Sequence, residues 1–518
     1  MPVHPPAADQ LRQIAERCGL SLSEEDLSAY RNLILDLLPA YTQVERMAAP
    51  RPATSRPRTP GHRPAPETNP LNAWYWRCSL RGADDGPLAG RTVAIKDSVA
   101  VAGVPMANGS HLLEGHVPDF DATLVTRVLD AGGHIVGKAA GEDLGFSGGS
   151  HTCHTGPIRN PWNLARSVGG SSGGSAALVA HRDVDLAVGG DQGGSLREPA
   201  SWCGIVGLKG TYGLVPYTGV FPLEITLDHI GPMGRDVAGV AALLEAIAGT
   251  DGFDPRQPPG LVAEPYTRSL AEPLGQCRVL MVDEGFGWPA ASQDAVDEAV
   301  RDAAYLLEKA GASVERVSIP PHRSGYDIWT AIAYEGAAQH MLRGGTCGTN
   351  WKGYYDTALL GRFTGALRTR PQDLPSTVKL LWLMGEYLTE HYHGRYYALA
   401  QNLVPVLARA YDDALAEADV LAMPTVPMTA TTIPPPDASL EESMAATMRM
   451  GVNTAPFSVT GHPAVTVPCG VCDGLPVGLM LVGKRWDDAR VLRVARAFEE
   501  RVGGFPTPPA PISDTARP

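Results

Sequence analysis

Residues 166–199 read RSVGGSSGGSAALVAHRDVDLAVGGDQGGSLREP and place two serine-bearing glycine clusters on either side of a short helix-and-strand unit. Glycine is used where the backbone must adopt positive φ or approach another group closely. The first cluster leads into residues that favour a helix, and residues 184–188 favour a short buried strand that ends where the second cluster begins at Gly189. Flexible Gly/Ser linkers are the alternative, but linkers do not alternate with core strands. The pattern therefore predicts a site built from backbone amides that can converge on an anion.

The composition indicates a globular protein with a large core. The chain has 518 residues, of which 44% are hydrophobic and 19% charged, and 43 Lys and Arg against 56 Asp and Glu give a net charge of −13. This balance argues against a nucleic-acid partner or an anionic membrane surface. The sequence has no apolar run long enough to span a bilayer, and residues 1–11 lack the order of a secretory signal. We therefore expect a cytoplasmic location.

Alternating helix and strand patterns predict an α/β fold. Residues 92–95 form a buried-strand pattern that runs into Lys96, and residues 123–138 read as a helix, a glycine pair and a strand. Further strands are predicted at residues 278–282, 420–423, 465–467 and 477–482, before a final helix at 488–502.

The predicted organisation has four parts. Residues 1–48 form a helical segment, in which Ser23 is placed to cap the second helix. Residues 49–73 form a Pro-rich linker, residues 74–504 the catalytic domain, and residues 505–518 an irregular tail.

Two other motifs offer alternative chemistry. The pattern G-x-S-x-G occurs at residues 145–149 and again around Ser171, so a nucleophile elbow with His229 or His462 as base is the mechanistic alternative. Cys469 and Cys472 form a C-x-x-C, but no second pair or neighbouring histidine completes a zinc site. We interpret that pair as a strand end followed by a turn and expect no metal.

Several segments together resemble the amidase signature family of serine hydrolases. They are Lys96 after its strand, GGSSGGS at 169–175, GGDQGGSLREPA at 189–200, LKGTYGLVP at 208–216, LDHIGPM at 227–233, MPTVP at 423–427 and GLPVGLMLVG at 474–483. The N-terminal helices and residues 69–77 and 453–464 look most like the bacterial amidases encoded beside nitrile hydratases. The resemblance implies a large mixed β-sheet sandwiched between helices, with the N-terminal helices as an extension often used in dimer contacts.

The resemblance also assigns the site. It implies that Ser195 is the nucleophile, Ser171 the bridging serine after a cis peptide at Gly170–Ser171, and Lys96 the base. The amides of Gln192, Gly193 and Gly194, with that of Ser195, would form the oxyanion hole. Arg197 would support the site rather than read the substrate.

The chemistry needs no histidine, because a neutral Lys96 can take a proton from Ser171 as Ser171 takes one from Ser195. Such a lysine must lose roughly 3 units from its reference pKa of about 10.4, which requires burial. The chain departs from the family at Gly190, where Ser or Thr is common, and at Met480, where Gln is frequent. These departures leave the triad intact and affect only what supports it.

We therefore expect an amidase that hydrolyses small neutral carboxamides, aliphatic and aromatic, without a cofactor and as a homodimer. An esterase or carbamate hydrolase with the same triad, a glutaminase subunit of a tRNA-dependent amidotransferase and a catalytically silent binding protein are the alternatives. The expected walls of the pocket are aromatic and lie around Trp329, Tyr334 and residues 212–221.

Overall fold

The structure, a computed structural model, describes residues 3–52, 54, 56, 58–447 and 449–509. The chain divides into two compact units, Met1–Pro52 and Ala53–Pro518. The end of the expected tail, residues 510–518, lies outside the described residues.

The N-terminal unit contains two helices, α1 (Ala8–Arg17) and α2 (Glu24–Arg46). As predicted, Ser23 caps α2, because its hydroxyl accepts a hydrogen bond of 3.1 Å from the amide of Asp26. Among the described residues of the N-terminal unit, the buried apolar side chains are Ala15 and Leu27.

The second unit is built on a sheet of eleven strands, accompanied by a separate two-stranded sheet. The strands are β1 (Trp74–Arg81), β2 (Thr92–Lys96), β3 (His134–Ala139), β4 (Arg159–Asn160), β5 (Asn163–Ser167), β6 (Leu186–Asp191), β7 (Val206–Lys209), β8 (His229–Gly234), β9 (Cys277–Val282), β10 (Ala312–Val317), β11 (Val420–Pro424), β12 (Ala464–Cys472) and β13 (Leu475–Gly483). The large sheet has the order β1-β3-β2-β6-β8-β7-β12-β13-β11-β9-β10. It is mixed, since β2 runs parallel to β3 and β6 whereas β6 and β8 are antiparallel.

Helices cover the sheet and build the walls of the site. They are α3 (Thr123–Asp130), α4 (Gly173–Ala180), α5 (Arg197–Cys203), α6 (Val237–Ile247), α7 (Tyr266–Ser269), α8 (Asp294–Leu306), α9 (Gly325–Ala337), α10 (Thr357–Thr369), α11 (Ser376–Tyr392), α12 (Arg395–Ala416), α13 (Leu440–Ala445), α14 (Ala455–Thr460) and α15 (Asp488–Val502). A π-helical turn, Ala338–Arg343, extends α9. The predicted α/β class and large mixed sheet are confirmed.

Side chains of β2 alternate between two hydrophobic clusters. Val93 and Ile95 belong to the larger cluster, to which α3 and α6 contribute, whereas Ala94 belongs to the smaller cluster with α4 and α5. Lys96 follows this alternation at the carboxyl end of β2, next to the parallel strand β6. The carboxyl ends of parallel strands meet at one edge of a sheet, and the site forms there.

The prediction for the end of β6 was wrong by three residues. The strand does not stop at Val188 but continues through Gly189 and Gly190 to Asp191. Pairing with β8 over its full length holds these glycines extended. A side chain at Gly189 would lie 2.9 Å from the sulfur of Met233, so glycine permits the close approach.

Candidate active site

Lys96 and Ser171 meet in the interior at the end of β2. Lys96 Nζ lies 2.6 Å from Ser171 Oγ, and the two residues are 2% and 0% exposed. Ser171 stands in the loop that opens α4, and its preceding peptide, Gly170–Ser171, is cis, as the family resemblance implied. The loop leaves little room, because a side chain at Gly170 would lie 2.6 Å from the carbonyl oxygen of Ser147.

The burial of Lys96 determines its protonation state. Burial lowers the pKa of the ammonium group to about 7, although the charges of Asp191, Glu142 and Asp228 raise it. A neutral amine is therefore substantially populated near pH 7. A lysine that acts as a base at this pH requires a pKa shift of this size.

Ser195 follows β6 and is partly exposed at the bottom of a pocket. Its backbone adjoins the Ser171 loop, since the amide of Ser172 donates 3.0 Å to the carbonyl oxygen of Ser195. Within the described residues, the hydroxyls of Ser171 and Ser195 share no hydrogen bond. In the structure, Lys96 therefore contacts Ser171 directly, and a backbone hydrogen bond holds Ser195 next to the Ser171 loop.

The carbonyl oxygens of residues 192–195 are all tied to other parts of the site. Their donors are Trp329 Nε1 to Gln192 (2.7 Å), Thr454 Oγ1 to Gly193 (2.7 Å), the Glu198 amide to Gly194 (2.8 Å) and the Ser172 amide to Ser195 (3.0 Å). Each carbonyl shares a peptide plane with the amide of the next residue, so these bonds also fix the direction of the amides.

The amides of the same loop are free to bind a ligand. In the part of the chain that the structure describes, the amides of Gly193, Gly194 and Ser195 donate no hydrogen bond to protein. Gly193 and Ser195 are partly exposed at the pocket. Preorganised amides of this kind stabilise an oxyanion.

Arg197 supports the loop and does not face the substrate. It is 0% exposed, and its Nε and Nη2 donate to the two carboxylate oxygens of Asp191 at 2.8 and 2.9 Å. Burial alone would raise the pKa of Asp191, but Arg197 outweighs it and lowers that pKa to about 2. Met480, one of the departures from the family, places its sulfur 3.5 Å from Arg197 Nη1.

The pocket above Ser195 contains about 520 Å³ of empty space, including its opening to solvent. Its aromatic and apolar walls come from four parts of the chain, at Phe146, Leu223, Tyr326 with Trp329, and Met450. As predicted, Trp329 lines it, and Tyr326 stacks on Trp329 with ring centroids 5.4 Å apart.

The other predicted walls lie elsewhere. Tyr334 packs edge-on against Phe146 rather than lining the pocket itself, with ring centroids 5.3 Å apart. Residues 217–220 line a second cavity, and the Tyr217 hydroxyl accepts a hydrogen bond of 2.8 Å from Gln192 Nε2.

Sequence reasoning missed two charged residues in the pocket wall, Glu198 and Arg449. Glu198 could have been noticed as a carboxyl group three residues after the predicted nucleophile. Arg449 lies in a segment with no motif, and only the fold brings it to the site. Thr454 was likewise passed over, although it belongs to the quoted segment at 453–464.

The histidines of the alternative mechanism are engaged elsewhere. His229 Nδ1 lies 2.7 Å from the carbonyl oxygen of Leu227, and His462 Nε2 lies 3.1 Å from Asp412. Neither contacts a serine of the two clusters among the described residues. The geometry therefore favours lysine over histidine as the base.

No cluster of His, Cys, Asp or Glu suited to a metal ion occurs in the described ranges. The C-x-x-C pair ends β12 just before the turn into β13, as predicted. Of the described helices, none is long and apolar enough to cross a membrane.

Comparisons with known proteins identify relatives of this chain. A family model described as Amidase matches residues 64–492. An enantioselective amidase of Rhodococcus rhodochrous is 48% identical over 518 residues, covering 99% of each chain. Among solved structures, a glutamyl-tRNA(Gln) amidotransferase subunit from Thermotoga maritima is 30% identical, with a TM-score of 0.71, and covers 86% of this chain and 92% of its own. The native peptide amidase from Stenotrophomonas maltophilia is 28% identical, with a TM-score of 0.67, and covers 82% of this chain and 85% of its own.

Proposed function

The chain belongs to the amidase family and hydrolyses amide bonds, and we propose that Ser195 is its nucleophile, Ser171 its bridging serine and Lys96 its base. The observation that carries this proposal is the buried contact of 2.6 Å between Lys96 Nζ and Ser171 Oγ. A lysine of lowered pKa next to one serine, with a second serine lining the pocket, supports this assignment of base and nucleophile.

The first half of the reaction forms an acyl-enzyme. Neutral Lys96 accepts the proton of Ser171, Ser171 accepts the proton of Ser195, and Ser195 Oγ attacks the amide carbon. This transfer requires the Ser195 hydroxyl to turn toward Ser171, because the two hydroxyls share no hydrogen bond among the described residues. The amides of Gly193, Gly194 and Ser195, with that of Gln192, then donate hydrogen bonds to the carbonyl oxygen and stabilise its negative charge.

The second half regenerates the enzyme. Collapse of the tetrahedral intermediate breaks the carbon–nitrogen bond, and the proton held by the Ser171–Lys96 relay passes to the departing nitrogen. Water then attacks the acyl carbon and gives a proton to the same relay. The bond between this carbon and Ser195 Oγ breaks, the relay returns the proton to Ser195, and the carboxylic acid leaves. Both steps use the same oxyanion hole, so its rigidity affects acylation and deacylation alike.

We propose small neutral carboxamides, aliphatic and aromatic, as substrates. The aromatic and apolar side chains around Trp329 and Phe146 favour an uncharged acyl group. Burial raises the pKa of Glu198 to about 8, so this wall carboxyl is mostly neutral at pH 7. Arg449 is the remaining charged side chain among the described lining residues.

We further propose a cytoplasmic homodimer. All eight cysteines are free, which suits a reducing compartment. Helix α2 exposes apolar side chains three or four residues apart, and they are 53–68% exposed: Tyr30, Leu33, Leu37, Tyr41 and Val44. A stripe of this kind on a helix of 23 residues suits association with a second copy of the chain, and sedimentation at micromolar concentration tests it.

The test of the proposed chemistry is to trap the acyl-enzyme. Mass spectrometry of the enzyme mixed with benzamide should show one added benzoyl group on the peptide that contains Ser195. Acyl transfer to Ser147 or Ser171 instead would contradict the assignment. Ammonia release from benzamide, propionamide and glutamine by the chain alone separates an independent amidase from a glutaminase subunit.

A further inference from the structure

The hydroxyl of Thr454 lies among three oxygen atoms that could accept its hydrogen. Thr454 Oγ1 is 2.7 Å from the carbonyl oxygen of Gly193, 3.0 Å from Glu198 Oε1 and 3.3 Å from the carbonyl oxygen of Gly451. A hydroxyl has one hydrogen to donate, and the shortest contact is to Gly193. When that hydrogen goes to Gly193, a lone pair of Thr454 Oγ1 faces the carboxyl group of Glu198.

Two oxygen atoms 3.0 Å apart need a hydrogen between them, and Glu198 has to supply it when Thr454 donates to Gly193. The residue is 5% exposed, so its carboxyl group has little contact with water. Burial raises its pKa to about 8. Among the charged and titratable groups that face it, Asp191 raises this pKa further, while the hydrogen bond of Thr454 and the charge of Arg197 lower it. Tyr326 and Arg449 line the same pocket as Glu198.

We propose that Glu198 is a positioning residue which, as a neutral acid, donates to Thr454 Oγ1 and so directs the Thr454 hydroxyl to the carbonyl oxygen of Gly193. The peptide that contains this carbonyl also contains the Gly194 amide of the oxyanion hole. Glu198 therefore affects the reaction indirectly, because it orients the Thr454 hydroxyl, which in turn holds the peptide that contains this amide. The inference rests on the proposed function, in which this amide binds the developing oxyanion.

Ionisation of Glu198 reverses the hydrogen bond. A carboxylate only accepts, so it draws the Thr454 hydrogen toward itself, and Gly193 loses its donor. The Gly194 amide is then less well oriented, and kcat falls as the pH rises through the pKa of Glu198. Neutral Lys96 forms as the pH rises through about 7, so the pH profile has a rising limb from Lys96 and a falling limb from Glu198.

The experiment compares pH profiles of kcat for benzamide in the full-length enzyme and in Glu198→Gln. Glutamine has the shape of glutamate and an N–H that can donate to Thr454, but it does not ionise. We expect the rising limb to stay near pH 7 and the falling limb near pH 8 to disappear. Glu335→Gln is the matched control, because it makes the same change at another buried carboxyl, and it should keep both limbs.

Loss of the hydrogen bond between Glu198 and Thr454 should lower kcat more than it raises KM. We expect Glu198→Ala and Thr454→Val each to lower kcat by roughly ten-fold, with KM within about two-fold, and the double variant to lose no more than either alone. Thr454→Ser, which keeps a hydroxyl, should recover most of the loss. A falling limb near pH 8 that persists in Glu198→Gln overturns the proposal, as do losses that multiply in the double variant. Failure of the triad itself is recognised separately, because Ser195→Ala would then retain turnover.

Discussion

Trp329 Nε1 donates a hydrogen bond of 2.7 Å to the carbonyl oxygen of Gln192, so the indole that forms a wall of the pocket also fixes the peptide joining Gln192 to Gly193. The ring is close enough to Gly193 that a side chain there would lie 2.7 Å from the indole. One residue of α9 thus lines the pocket and orients an amide of the proposed oxyanion hole.

Replacing Trp329 with Phe should separate these two roles. The variant keeps an aromatic wall but loses the donor to Gln192, so we expect kcat for benzamide to fall by roughly ten-fold, less than the loss of an oxyanion donor itself. KM should change by less than about three-fold. Trp382→Phe is the matched control, since the indole of Trp382 also donates a hydrogen bond, to Glu386, but does not line the pocket. A change in KM alone would show that Trp329 is only a wall.

The triad should act as a unit. Ser195→Ala is expected to abolish turnover, and Ser171→Ala and Lys96→Ala to leave at most traces, with no further loss when they are combined. Steady-state ammonia release measures this. His462→Asn serves as the control, because His462 contacts Asp412 and Thr460 away from the relay. Near wild-type turnover in Lys96→Ala, together with inactivity of a His229 or His462 variant, would favour the histidine mechanism.

The buried lysine should cost stability, and the sign follows from its protons. The unfolded lysine binds a proton up to pH about 10.5, whereas the folded lysine loses it near pH 7. The unfolded state therefore binds more protons between these values, and the contribution of Lys96 to the free energy of unfolding rises with pH across that window. The cost is greatest below pH 7, at about 5 kcal/mol.

Lys96→Met should consequently raise the melting temperature while abolishing activity, as expected where function depends on a buried charge. Thermal unfolding of both proteins at pH 6.5 and pH 9.5 measures the effect. The difference in melting temperature should be larger at pH 6.5. An equal difference at both values would mean that Lys96 titrates at an ordinary pKa in the folded protein.

Local patterns predicted the elements that carry the candidate site. The apolar run before Lys96 predicted its strand and the first glycine cluster predicted the start of a helix, and both are confirmed, whereas the backbone site near Ser171 and Ser195 stays a prediction. The end of β6 was misjudged because glycine density indicates a turn, whereas pairing with β8 decided the outcome. The side chains that hold the loop at residues 192–195 could not be predicted from local patterns. Trp329 lies 137 residues from Gln192, and Thr454 lies 261 residues from Gly193.

The substrate preference of the enzyme should follow from the apolar wall of the pocket and from Arg449. The aromatic and apolar wall should favour benzamide and butyramide over acetamide, since each methylene of extra contact is worth about 1–3 kcal/mol, or roughly ten-fold or more in kcat/KM. Malonamate and glutamine carry a carboxylate, which that wall does not favour, so we expect them to be poorer substrates than benzamide. The measurement is kcat/KM for the five amides at one pH.

The variant Arg449→Leu tests whether Arg449 binds a substrate carboxylate or is only a part of the pocket wall. Arg197 is buried and donates to Asp191, so Arg449 is the described lining residue that can meet a carboxylate. If neutral amides are the substrates, the variant should keep the order of the five amides and lower kcat/KM for malonamate and glutamine at most. A wild-type preference for malonamate or glutamine that is lost in Arg449→Leu would refute the apolar pocket and make Arg449 a carboxylate clamp, because removing the one cation leaves the aromatic contacts in place.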